Sequence, residues 1–248
     1  MAPDFTIITC TRNSAATLPQ TLQSIQQQRG VSVEHVFVDG NSTDGTLELL
    51  RAQPGAVTIL EGVQGGISRA MNAGIAVARG VIVAHLHSDD YYLHEDVLQF
   101  VWDRMQASSC DWLFGRIKFD VEGRLQSENF RAPRYTRSAL LHGNFVPHPA
   151  TFLRREVFQR FGMFREDYRY AMDYELWLRI AGNTRVCQID DALAAFRVHG
   201  GSASTANRGA AMAEDLRARL FYTPWWGWPE AGLRFLVRRH RVLTAARQ

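Results

Sequence analysis

The chain has 248 residues, 46% of them hydrophobic and 21% charged, which suits one well-filled globular domain and excludes a fibrous or low-complexity protein. A formal net charge of +3 excludes a strongly one-signed polyelectrolyte, and no apolar run approaches the roughly 18 residues that a membrane span requires. Three cysteines without C-x-x-C spacing (Cys10, Cys110, Cys187) argue against a disulfide framework or a zinc site; with no secretory-signal pattern at the N-terminus, they lead to an expected cytoplasmic location.

The first hundred residues alternate strand and helix. FTIITC (5–10) predicts a strand, and LPQTLQSIQQQ (18–28) a helix closed at Arg29-Gly30. VEHVFVDG (33–40) is a second apolar strand ending on Asp39; Ser42-Thr43-Asp44 supplies N-cap types for a helix over TLELLRAQ, stopped by Pro54-Gly55. VTILE (57–61) is a third strand. A helix over ISRAMNAGIAVA follows Gly65-Gly66, and VIVAHL (81–86) is a fourth strand that runs straight into His87-Ser88-Asp89-Asp90. Beyond it, residues 112–130 predict a hairpin around Glu122-Gly123, REVFQRFG a helix after HPATF, and MDYELWLRIAGN (172–183) a helix with a buried stripe. TRVCQID and ALAAFRV are further short strands, HGGSAS (199–204) a loop, and 208–222 a helix.

This alternation implies βαβ units, right-handed crossovers and an α/β fold with a mostly parallel sheet, whose ligands bind outside the carboxyl ends of strands. Three chemically loaded stretches fall at such ends: Thr9–Asn13, Asp39–Thr43 and His87–Asp90. Two adjacent carboxylates after an apolar run are costly unless paired or bound to a cation, so they belong to a crevice and not to the core.

Taken together, and in this order, several stretches resemble the family 2 glycosyltransferases of the GT-A fold. VDGNSTDGT (38–46) looks like the VDxxSTDGT motif, and GISRAMNAG (66–74) like the G-x-x-x-A-x-N-x-G helix start. Ser88-Asp89-Asp90 looks like the acidic metal motif, Asp173-Tyr174-Glu175-Leu176-Trp177 like the late acidic motif, and Arg197–Ser202 like the closing loop. The resemblance covers about residues 4–205. It implies a GT-A domain over 1–205, with a nucleotide-binding half (1–105) and an acceptor half (106–205), and a helical extension over 206–248.

The resemblance implies an inverting transfer from a nucleotide-diphosphate sugar, UDP by default, to a glycan or lipid-linked acceptor in surface polysaccharide or glycolipid biosynthesis. Asp39 is expected on uracil or ribose, or else capping its own turn. Thr9, Thr11, Asn13 and Asn72 complete the nucleotide-sugar set, with Arg69 and Arg12 as phosphate candidates. Asp90 is the expected ligand of Mn²⁺ or Mg²⁺, with His199 as a further ligand and Asp89 on ribose. Asp173 is the expected general base, with Glu175 as the alternative at the acceptor site and His148 as a lining residue. Met71 stands where a common family variant has arginine, which leaves the role of Arg69 open.

From Arg217 onward seven arginines face a single acid, Glu230, and Pro224–Pro229 holds three tryptophans. A helix there carries Leu233, Leu236, Val237 and Leu243 on one face; it either lies on an anionic membrane, at the cytoplasmic face of the inner membrane, or packs back on the domain. Two other functions fit less of the sequence: a nucleotide-sugar-binding protein without turnover, and a metal-dependent phosphohydrolase, which lacks a second His/Asp cluster. No nucleic-acid motif accompanies the basic tail, and no G-x-G-x-x-G follows the first strand.

Overall fold

Four parallel strands form the front of the sheet, in the spatial order β3-β2-β1-β4: β1 Phe5–Thr11, β2 Val33–Asp39, β3 Val57–Leu60 and β4 Ile82–His85. The structure is a computed structural model that describes residues 2–128, 132–198 and 207–245. The connecting helices are α1 (Leu18–Gln26), α2 (Thr46–Arg51) and α3 (Ile67–Val77). Every residue of β1 is buried, as befits a strand covered on both faces. Helix α3 crosses β1 closely at Gly74, where a Cβ would stand 2.6 Å from Ile8 Cγ2.

Behind β4 the sheet becomes mixed. α4 (Val97–Ser108) leads to β6 (Trp112–Val121), which pairs with β7 (Arg124–Ser127) in the expected hairpin. HPATF, expected only to precede a helix, supplies a 3-10 turn at His148–Ala150 and then β8 (Thr151–Arg154), inserted antiparallel between β4 and β6. Its alternation was too short to read as a strand by itself. The two late strands expected at 184–198 are one bulged strand, β9 (Val186–Val198), parallel to β6. The two-residue β5 (Tyr91–Tyr92) closes onto β9, drawing the acidic turn after β4 against the far edge of the sheet.

Helices α5 (Arg137–His142), α6 (Arg155–Phe161) and α7 (Met172–Ile180) cover the second half of the sheet around Trp112, Trp177 and Tyr174, all fully buried; the Trp112 and Trp177 rings stack at 5.4 Å. Helices α8 (Arg208–Tyr222) and α9 (Trp228–Ala245) form the expected C-terminal extension. α8 lies on α7, where Tyr222 Oη donates to Glu175 Oε1 at 2.5 Å, so this helix is tied to the second half of the domain.

Candidate active site

The carboxyl ends of β1 and β2 are wired to each other. Asp39, wholly buried, accepts from Thr11 Oγ1 (2.9 Å), Ser42 N (2.8 Å) and Ser42 Oγ (2.5 Å). Asn13, at φ 52°, accepts from Thr43 N (2.9 Å) and donates its own N–H to Ser42 Oγ (2.9 Å). Asp44 ties the same turn to Thr46 and Ala15. Beside this network lies a cleft of about 590 Å³ lined by Thr11, Arg12, Gly40, Gly65, Gly66 and Arg169. Gly65 and Gly66 run at φ 108° and 100°, a backbone region closed to other residues, and lead into an α3 N-terminus without a side-chain cap. Its unpaired N–H groups suit an anion.

A second cavity of about 330 Å³ continues from the first, sharing Cys10, Ile67 and Arg169 with it. Its walls bring together Asp89 and Asp90 from the β4 turn, His148 from the 3-10 turn, Tyr170, and Asp173 from the first turn of α7. Asp90 is 1% exposed; burial first, and the Asp89 charge second, push its carboxyl well above the usual range. The Arg197 N–H reaches Asp90 Oδ1 at 3.2 Å and offsets part of this. Asp173 is pushed up to about 6, mainly by burial, with Asp215 adding to the rise; Tyr174 N (2.7 Å) and Asn144 Nδ2 (3.4 Å) oppose it. Burial pushes the Cys10 thiol up to about 12, so it is no nucleophile. His148 is driven down to about 3 by burial and by His87, and is neutral.

Residues 6–162, more than half of the chain, match the family described as Glycosyl transferase family 2. A Mycobacterium tuberculosis protein named PGL/p-HBAD biosynthesis glycosyltransferase is 30% identical across 96% of each chain. This chain belongs to glycosyl transferase family 2. The transferase superposes on Staphylococcus aureus TarS 1–349 in complex with UDP at a TM-score of 0.69 and 24% identity, over 88% of its own length and 65% of the TarS chain. The mannosyltransferase PcManGT from Pyrobaculum calidifontis, in complex with GDP-Man and Mn²⁺, gives 0.68 at 20% identity, over 99% of the transferase and 79% of that chain. At such identities the likeness shows the fold, the expected GT-A arrangement.

Several expected site residues of the transferase stand elsewhere. Thr9 is wholly buried, its hydroxyl 2.9 Å from His35 Nε2, and lines neither cavity: it shares a face of β1 with Thr11 but lies two residues deeper in the strand, where His35 of β2 covers it. Asn72 exchanges hydrogen bonds with Phe164 N (2.9 Å) and Phe164 O (2.8 Å) and so pins the loop before α7. Arg69 lies over Gly65, outside the cleft wall. Glu175, buried, is held by Arg179 (2.7 Å) and Tyr222; two residues along α7 from Asp173, a rotation of about 200°, turn it into the core, and it lines neither cavity. His199 lies outside the described residues.

Sequence reasoning missed Arg169 and Tyr170, which line the cavities from the loop before the late acidic motif. An arginine four residues ahead of Asp173 was the available signal. Among the described residues, no group of three or more His, Cys, Asp or Glu side chains is arranged to hold a metal. The pair Asp89-Asp90 nevertheless fits a hard divalent cation, since a buried carboxylate beside a second acid is the donor set whose charge such an ion relieves. No helix among the described residues is long and apolar enough to cross a membrane.

Proposed function

We propose that the protein is an inverting, metal-dependent hexosyltransferase that moves a sugar from a nucleotide-diphosphate sugar, UDP-linked by default, to a glycan or lipid-linked acceptor in surface polysaccharide or glycolipid biosynthesis. The observation that carries this reading is that Asp89, Asp90 and Asp173 line one cavity, continuous with a cleft built on the β1 and β2 ends. Solved relatives of the same fold hold UDP, UDP-GlcNAc and GDP-Man, which supports a nucleotide-sugar donor.

In this reading the base and ribose occupy the larger cleft, against Thr11, Arg12 and the backbone of Gly40, with Asp39 bracing the wall through its bonds to Thr11 and Ser42. Arg169, common to both cavities, faces the diphosphate, where a guanidinium matches phosphate oxygens. Asp90 would hold Mn²⁺ or Mg²⁺, with His199 as a further ligand and Asp89 beside it on the ribose; the ion, when bound, neutralises charge growing on the diphosphate as it leaves. Asp173 accepts the proton of the acceptor hydroxyl as that oxygen bonds the anomeric carbon and the carbon–phosphate-oxygen bond breaks, a single displacement that inverts configuration. Its elevated pKa, about 6, leaves it ionised at neutral pH yet more basic than an ordinary aspartate. Calorimetric titration with UDP, GDP and dTDP, with and without Mn²⁺, tests the donor side. One diphosphate should bind, more tightly with metal, and the metal effect should vanish in Asp90→Ala. No binding by the folded protein would sink the reading.

The C-terminal segment supports a peripheral membrane contact over 224–247. Trp225, Trp226, Leu233, Leu236 and Val237 are all exposed, and Arg239 lies exposed on the same helix, a combination suited to an anionic bilayer surface. Flotation with anionic vesicles should capture the protein, and a Trp225→Ser/Trp226→Ser/Leu236→Ser variant should stay behind. Equal behaviour of both would remove the membrane from the account.

A further inference from the structure

The segment Arg169–Ala171 contributes Arg169 to both cavities and Tyr170 to the smaller one, and ends two residues before Asp173. It opens helix α7, whose N-terminus has no side-chain cap of its own. Its three consecutive N–H groups instead converge on one carboxylate from α8. Glu214 accepts from Arg169 N (2.9 Å), Tyr170 N (2.7 Å) and Ala171 N (3.0 Å), across 43 to 45 residues of sequence. Charge-assisted bonds of this kind are shorter and stronger than neutral ones, and an acid at a helix N-terminus is electrostatically favoured. One helical turn on, Arg217 bonds Asp167 O (3.0 Å) and lies over the Tyr168 ring at 4.3 Å. The same face of α8 thus grips the loop from 167 to 171.

We propose that Glu214 is a positioning residue for sugar transfer: by clamping the Arg169–Ala171 backbone it sets where the Arg169 guanidinium and the Asp173 carboxylate stand relative to each other. This makes α8, the first part of the extension, a component of the active site without touching substrate. The inference rests on the reading of Asp173 and Arg169 given above. A clamp is needed there because the segment is a loop between the Asn72-pinned turn and α7. Misplacing a reacting group by about 1 Å costs on the order of 100-fold in rate.

The test uses the full chain and Glu214→Gln, which keeps size and one acceptor oxygen but removes the charge and places an NH₂ against N–H donors. Glu214→Asp, which keeps the charge on a shorter stem, is the companion. Hydrogen exchange should show amides 169–171 losing at least tenfold protection in Glu214→Gln, with amides of β1, β2 and β4 unchanged. The kcat should fall about 10- to 100-fold, while UMP or GMP, which lack the diphosphate, should bind within twofold of wild type. Glu214→Asp should recover part of both kcat and protection. Loss of local protection with unchanged kcat would reduce Glu214 to a fold contact and overturn the proposal, as would unchanged protection. A parallel fall in β-sheet protection and kcat would also overturn it, since the effect would then be global unfolding. Wild type that shows the clamp in exchange but transfers no sugar from any donor would instead sink the functional reading, and the positioning role with it.

Discussion

Asp39 and Asp90 both stand at the carboxyl end of a buried parallel strand, and both are nearly or wholly inaccessible to water. Asp39 takes three hydrogen bonds from the side chains and backbone of its own neighbourhood. Asp90 takes one backbone N–H at 3.2 Å and faces a second acid. The β1–β2 side of the cleft is therefore preorganised by the protein's own hydrogen bonds, whereas on the acidic side burial disfavours the charged form of Asp90, a penalty that a bound cation would relieve. A rigid wall can read the shape of a nucleoside, and an under-compensated wall can respond to charge that appears during reaction.

Substitutions on the two sides should separate cleanly. Asp90→Ala should have the largest effect, cutting transfer by about 10³-fold or more, as removal of several kcal/mol of charge stabilisation implies. It should also abolish the metal dependence of diphosphate binding in calorimetry while the melting temperature holds or rises. Asp173→Asn comes next, lowering kcat by about 10²–10⁴-fold with diphosphate affinity unchanged in the same titration. In the wild type, kcat should rise with pH through about 6 as Asp173 ionises. The folded protein holds that proton above the pH at which an unfolded aspartate releases it, so this group's contribution to stability falls as pH rises from about 4 to about 6. Asp173→Asn should consequently be more stable than wild type at pH 7, by on the order of 1–2 kcal/mol given partial solvent contact. Denaturant titration at pH 4 and 7 reads the difference.

On the preorganised side the same kind of change should behave differently. Asp39→Ala strands the Thr11 and Ser42 donors and should cost about 1–3 kcal/mol of stability together with nucleotide affinity. Coupled loss of both, by thermal unfolding and calorimetry, is the signature; loss of affinity alone would mean that Asp39 touches the nucleotide more than it braces the wall. The smallest effect on rate belongs to Glu175→Gln. It should cost about 3 kcal/mol of stability by removing the buried carboxylate charge that pairs with Arg179, which keeps only its bonds to Phe161 O and Met163 O, with kcat per folded molecule within about threefold of wild type, because Glu175 faces away from the cavity.

Much of the front half was legible in the chain. The apolar runs ending at Thr11, Asp39 and His85, separated by helix-length segments, predict strand order of a βαβ kind and put three polar turns at one edge. Glycines at 65 and 66 announced the turn into α3. The back half was less readable, since β8 has four residues and β5 two, and strands this short are defined by their partners and not by a period of their own. The expected pair of strands at 184–198 is continuous because a bulge, invisible in hydropathy, carries β9 past the polar Asp190-Asp191 step.

The candidate site divides along the same line. Sequence alone determined the residue types and their delivery: acids after a buried strand, an acid in the first turn of a helix, and a turn rich in Asx and hydroxyl side chains. Those follow from local rules about burial, capping and strand ends. Only the tertiary structure decided which of them face the cavity. Asp173 enters it while Glu175 points to Arg179 and Tyr222, and Glu214 reaches back over more than forty residues to hold Arg169–Ala171. The physical reason is that side-chain direction depends on how helices and strands are rotated against their neighbours, and that rotation is set by long-range packing which no short window of sequence contains.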